Sequence, residues 1–228
     1  MPRALYLCAD LAAPGSDAAH AELAAAARAA GAEVIALTRP VFEKVAYREG
    51  PDGVLAVVVA PARPLAELSL PAAPLLLVSE GVEKPGNLGA MLRTADAAGV
   101  AALIAADPAT DWGNPNVVLA SKGTLFSVPV ASAPTAQVLA HLKRAGVPLV
   151  ATTPDAHQDY TQVDYTGPIA LAVGTEKTGL SEAALAAATY RVRIPMAGRA
   201  DSLNVATSAA IVLYEAVWQR RAAAHPDC

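Results

Sequence analysis

Cysteine is nearly absent from this chain, with two among 228 residues. Cys8 lies inside an apolar run and Cys228 is the last residue. That placement gives no disulfide framework and no metal-ligand spacing, so the pair reads as one buried thiol and one tail thiol. Aromatic side chains make up only 4% of the residues, which argues against binding nucleic acid by stacking bases on aromatic platforms. No run of about 18 uninterrupted apolar residues occurs, as a membrane span would need. The opening MPRALYLCADLAAPG is too short and too quickly acidic for a signal peptide, and the chain reads as cytoplasmic. Positive charge is also in short supply. A net charge of -4 argues against a broad, nonspecific grip on nucleic acid but leaves room for a local basic patch.

What is abundant is small apolar residues. At 54% hydrophobic, largely alanine and valine, the chain is globular and long enough for one large α/β domain plus a smaller one. Residues 4–60 alternate strand and helix signals: ALYLC, the alanine-rich DAAHAELAAAARAAG, EVIAL, VFEKVAYREG and GVLAVVV. They predict a small α/β unit. Four prolines between Pro61 and Pro74 resist regular structure and read as a linker over 61–74. The pattern restarts at Leu75 with PLLLVSEG, the helix-like NLGAMLRTADAAG, the strand ALIAA, a short strand LFSVPV, the helix APTAQVLAHLKRAG and the strands PLVATT, IALAV and RVRIP. Strands separated by helices imply crossover connections and a parallel sheet covered on both faces. The last long segment predicts a helix whose apolar positions Val205, Ile211, Val212, Tyr214 and Trp218 face the core, a partner or both.

Three stretches carry the chemistry. GTEKTGLS, Gly174 to Ser181, follows a strand and precedes a helix, as a phosphate-binding loop does. Its two glycines and Ser181 match that motif in spacing, but Leu180 stands where the lysine is required. Glu176 also puts a carboxylate where phosphates would sit, so ATP or GTP binding is disfavoured. The second stretch, EGVEKPGNLGAMLRTADAAGV, has a Pro-Gly turn, Asn87 as a reasonable N-cap and a helix carrying Arg93. The third, RIPMAGRADSLNVATSAA, feeds a polar loop into the last helix, with Ser202 as a local N-cap candidate. Taken one at a time, Arg93 reads as a snorkelling surface residue and Ser202 as a cap.

Together the three stretches resemble, in order, the motifs of the SpoU (TrmH-like) branch of the SPOUT methyltransferases. The resemblance runs from Leu75 to the end of the chain. It implies transfer of a methyl group from S-adenosylmethionine to a ribose 2′-hydroxyl of RNA, with no metal. It also implies a parallel-sheet domain over 75–228 with a C-terminal trefoil knot, an exception to the rule that chains are unknotted, and a homodimer whose site is completed across the interface. Carried over by motif position, Arg93, Asn87, Glu176, Ser202 and Asn204 become the catalytic set. Gly174, Ile194, Met196 and Leu203 become cofactor contacts, with Thr152 at the end of PLVATT as a further candidate. The resemblance gives Arg93 either a base role or a clamp on the adjacent phosphate.

Many relatives carry an N-terminal RNA-binding domain. Residues 1–60 resemble its later part with the opening helical segment missing, so the chain reads as a shortened form. Basic residues that could still meet phosphate are Arg39, Lys44, Arg48, Lys84, Lys122 and Arg199. Ribosomal RNA is favoured over transfer RNA as substrate. A knotted RNA- or cofactor-binding protein without catalysis, and a nucleotide-triphosphate enzyme, stand as the competing readings.

Overall fold

The computed structural model describes residues 1–47 and 49–225, so Arg48 and Cys228 lie outside the described residues. Contacts divide the chain into Met1–Ala60 and Pro61–Cys228. In the first unit, β1 (Pro2–Leu7), α1 (Asp17–Ala29), β2 (Glu33–Ala36), α2 (Arg39–Val45) and β3 (Val54–Val58) follow one another. They form a three-stranded sheet in the order β2-β1-β3, with β2 parallel and β3 antiparallel to β1. Its core is correspondingly slight: Leu5, Ala24, Ala27 and Ala32, backed by Leu7, Val34 and Val54. Cys8 is buried here as a free thiol. The helix expected over VFEKVAYREG stops at Val45.

The second unit is built on β4 (Leu75–Glu80), α3 (Pro85–Ala97), β5 (Ala102–Ala106), α4 (Pro115–Ser121), β6 (Val130–Ala133), α5 (Thr135–Arg144), β7 (Leu149–Thr152), β8 (Gln158–Asp159), β9 (Ile169–Val173), α6 (Glu182–Ala187), β10 (Tyr190–Arg193) and α7 (Val205–Ala224). Seven strands lie in the order β6-β5-β4-β9-β7-β10-β8, and every pairing is parallel. Every residue of β4, β5 and β9 is buried, as expected of a parallel sheet covered by helices on both faces. Alternation along β4 assigns the faces. Leu75 and Leu77 pack with α3, α4 and α7 through residues such as Leu88, Met91, Val117 and Leu213. Leu76 and Val78 pack with α5 and α6 through Val138, Leu142 and Ala184.

The far end of this sheet is held by Arg220 of α7. Its guanidinium donates to the carbonyls of Tyr165 (2.9 Å), Ala73 (3.1 Å), Pro74 and Gly167, and burial lowers its pKa. The carbonyl oxygens, not a carboxylate, solvate this half-buried cation.

Two expectations are corrected and one helix is added. Residues 61–74 are no free linker: Leu65, Leu68 and Leu70 pack into the second unit's core around a 3-10 turn at Leu65–Glu67, because the leucines between the prolines supply apolar anchors. LFSVPV is not a strand. Thr124–Phe126 forms a 3-10 turn after Gly123, and the strand begins at Val130. Helix α4, on PNVVLAS, was not anticipated. Asn114 caps it by accepting from the Asn116 N–H at 2.9 Å, and Pro115 occupies its first turn.

Candidate active site

All seven strands point the same way, so the loops after their carboxyl ends gather on one edge of the sheet, where open α/β sheets bind ligands. The loops after β7, β9 and β10 enclose a cleft of about 710 Å³. Thr152, Gly174, Ile194, Met196 and Leu203 all line it, and so do Glu176 and Ser202.

The loop Gly174–Leu180 explains why its glycines mimic a phosphate-binding loop. A Cβ at Gly174 would lie 2.1 Å from the Gly179 carbonyl carbon and 2.3 Å from Leu180 N, so the chain doubles back against its own backbone. Thr175 and Gly179 exchange both N–H···O bonds at 3.0 Å, and the Thr178 N–H donates to the Thr175 hydroxyl at 2.9 Å. Three N–H groups that a phosphate would need are thus spent within the loop. This backbone is shaped to be a wall.

At the mouth of the cleft the same loop presents Glu176. Its Oε1 accepts from Asn87 Nδ2 at 2.9 Å and Asn204 Nδ2 at 3.1 Å, and its Oε2 accepts from Lys84 Nζ. Asn204 Nδ2 also reaches Asn87 Oδ1 at 3.1 Å. Lys84 is the N-cap residue of α3 and Asn87 lies in its first turn, while Asn204 caps α7, accepting from the Ala206 N–H at 2.9 Å. Two helix N-termini, the part of a helix that favours negative charge, therefore converge on a carboxylate of the chain itself. The Lys84 bond, and after it Asn87, holds the Glu176 pKa below its ordinary value.

The helix starts differ from the local expectation. Asn87 is not the cap of α3, because Pro85 already begins the helix, and the cap of α7 is Asn204 and not Ser202. Ser202 is exposed on the cleft wall. Arg93 is not brought to the cluster. It is exposed on α3, outside the cleft lining, with no hydrogen bond or ion pair among the described residues. Its place follows from Gly89 one turn earlier, where a Cβ would meet the Ala120 side chain at 2.5 Å; Arg93 lies along the helix side that abuts α4. Of the basic residues, Lys84 is committed to Glu176 and Arg39 to Glu43 at 2.8 Å, while Lys44, Lys122 and Arg199 are exposed.

Beneath the loop lies a residue that opens the second stretch but was given no role there. Glu80, at the end of β4 and 6% exposed, accepts from the Ser181 N–H (2.8 Å), the Ser181 hydroxyl (2.7 Å) and the Thr135 hydroxyl (2.8 Å). An acidic residue closing a strand that opens with four apolar residues was the available signal.

A bent nucleoside with a sulfonium tail would fit this cleft. Its walls are the apolar Ile194, Leu203 and Leu180, and the Thr152 hydroxyl is buried beside them with no partner among the described residues, leaving a hydrogen bond to be made. Gly174 keeps one wall down to bare backbone. Among the described residues no His, Cys, Asp or Glu group could hold a metal ion, and no helix is long and apolar enough to cross a membrane.

Comparison with known proteins finds relatives in sequence and in fold. The 23S rRNA (uridine(2479)-2′-O)-methyltransferase of Streptomyces viridochromogenes is 40% identical over 178 residues, which cover 75% of this chain but only 62% of that protein. The chain thus spans about three fifths of that relative's length. The 23S rRNA (guanosine-2′-O-)-methyltransferase RlmB of Vibrio vulnificus is 37% identical over 202 residues, covering 84% of this chain and 80% of that one. Among solved structures, the AdoMet-bound rRNA methyltransferase of Sinorhizobium meliloti superposes with a TM-score of 0.84 at 32% identity, over 94% of this chain and 79% of that one. Residues 74–214, which hold the cleft, the rim cluster and Arg93, match the SpoU rRNA Methylase family model, and with that span the chain belongs to the family.

Proposed function

We propose that this protein transfers a methyl group from S-adenosylmethionine to a ribose 2′-hydroxyl of RNA, ribosomal RNA before transfer RNA, in the cytoplasm. The observation that carries the reading is the rim cluster. Asn87, Glu176 and Asn204, as much as 117 residues apart in sequence, meet at the mouth of the cleft. The relatives named above act on 23S rRNA, which supports the ribosomal substrate.

The cofactor supplies an electrophilic methyl on a sulfonium. The chain's own work is placement and electrostatics. Thr152, Gly174, Ile194, Met196 and Leu203 hold the cofactor, while Asn87, Glu176, Ser202 and Asn204 orient the target ribose. Arg93 then clamps the neighbouring phosphate and stabilises the developing alkoxide. A guanidinium with a pKa above about 12 stays protonated, so the clamp suits it better than a base role. Because Arg93 stands apart from its own chain's cluster, we assign it to the site of a second copy in a homodimer. The exposed Tyr214 and Trp218 of α7 (43% and 68% exposed) support such an apolar contact, while Val205 and Val212 serve the core.

Residues 75–228 would form the methyltransferase domain, with a C-terminal trefoil knot. The sheet order supports it: β9 lies between β4 and β7, and the chain then returns to place β10 on the other side of β7. Residues 1–60 would form an RNA-binding domain. The test is transfer of labelled methyl to unmodified ribosomal and transfer RNA. Label in ribose, abolished by Arg93→Ala, is expected. Cofactor binding with no turnover on either RNA would favour the non-catalytic reading.

A further inference from the structure

We propose that Glu80 is a positioning residue that sets the affinity for S-adenosylmethionine by anchoring the inner end of the Gly174–Leu180 loop. The proposal rests on the reading of the cleft as the cofactor site. Every residue from Gly174 to Leu180 lines that cleft, yet the loop's own hydrogen bonds, between Thr175, Thr178 and Gly179, tie it only to itself. Beside the packing of Leu180 into the core, two polar side-chain contacts among the described residues hold it to the rest of the fold. One is Glu176 at the rim. The other is the buried carboxylate of Glu80 on Ser181, the residue that closes the loop and caps α6.

The chemistry of that anchor is selective. Three donors converge on Glu80, and no cation among the described residues pairs with it, so its charge is solvated by hydrogen bonds alone. Filling the position with an apolar side chain would avoid the desolvation cost of a carboxylate, but would leave the Ser181 N–H, a main-chain donor beneath the cleft, without an acceptor. Thr135, in the first turn of α5, donates to the same Oε1 as the Ser181 hydroxyl and helps hold the carboxylate. The anchor acts on the wall formed by Gly179 and Leu180, while Glu176 keeps its three partners of its own. Loosening it therefore weakens cofactor binding and leaves the rim chemistry in place.

The experiment compares Ser181→Ala and Glu80→Gln with Thr135→Val in the full chain, by calorimetric Kd for S-adenosylmethionine, thermal midpoint without cofactor, and turnover at saturating cofactor. Ser181→Ala is expected to weaken binding about tenfold or more, the equivalent of one bond to a charged group. Glu80→Gln should act in the same direction, and both should keep saturated turnover within about threefold. Thr135→Val should lower the midpoint and keep the Kd. A Ser181→Ala variant with a lowered midpoint and wild-type Kd would overturn the proposal. Leu203→Trp, which fills the cleft, separates the two ways of failing: if it binds cofactor as tightly as wild type, the cleft is not the cofactor site.

Discussion

Glu80 and Glu176 grip opposite parts of one seven-residue loop under contrasting conditions. Glu80 is buried, bonded to one main-chain N–H and two hydroxyls, and has no cation. Glu176 is exposed, bonded to two amides and to Lys84. A buried carboxylate without a cation is tolerable only when fully hydrogen-bonded, and then its removal is costly because its donors are stranded. An exposed ion pair contributes little to stability, so the rim cluster has to be accounted for by what it orients. The contrast separates a buried contact that holds the loop's inner end from an exposed one that also faces the mouth of the cleft.

The sharpest way to break that division is through the groups assigned to the target RNA. Arg93→Ala should lower turnover by about a thousandfold or more while leaving cofactor affinity unchanged, since the group acts on developing charge; single-turnover kinetics with saturating cofactor would check it. If affinity fell with turnover, Arg93 would be part of the cofactor site. Next comes Glu176→Ala, expected to cost about a hundredfold in kcat with little change in thermal midpoint. The inner anchor should behave in the opposite sense. Glu80→Ala should lose about 2–3 kcal/mol of stability in urea unfolding, and equal stability of the two alanine variants would erase the comparison.

The smallest effect concerns pH. Because Lys84 and Asn87 depress the Glu176 pKa, the cluster stays charged through the ordinary carboxylate range and is lost only as pH falls through that lowered value. Activity should therefore persist to the acid side of an ordinary glutamate. Lys84→Met removes the largest cause of the shift, so the acid limb of the kcat profile should move upward with only a few-fold loss at neutral pH. An unmoved limb would mean that Glu176 does not govern it.

The sequence carried the site further than it carried the local structure. The parallel sheet was legible because β5 and β9 are continuous apolar runs and β4 opens with one, all buried at every residue. Gly174, Ile194, Met196 and Leu203 were marked by motif position and Thr152 by its place at a strand end, and all five line the cleft. Residue spacing alone misplaced both helix caps: Asn87 gives way to Lys84 because Pro85 starts α3, and Ser202 gives way to Asn204 at α7. Glu80 escaped notice because its meaning depends on Ser181, 101 residues away. LFSVPV misled because its apolar residues serve a 3-10 turn that buries Leu125 and leaves Phe126 exposed. The separation of Arg93 from the cluster is invisible in any one-dimensional motif.

The most direct test of the account is Glu176→Gln, assayed in parallel for calorimetric affinity for S-adenosylmethionine and for labelled methyl incorporated into ribose of ribosomal RNA. The account predicts near-native affinity with turnover reduced about a hundredfold. Native turnover in that variant, or label recovered in a base instead of a ribose, would contradict it.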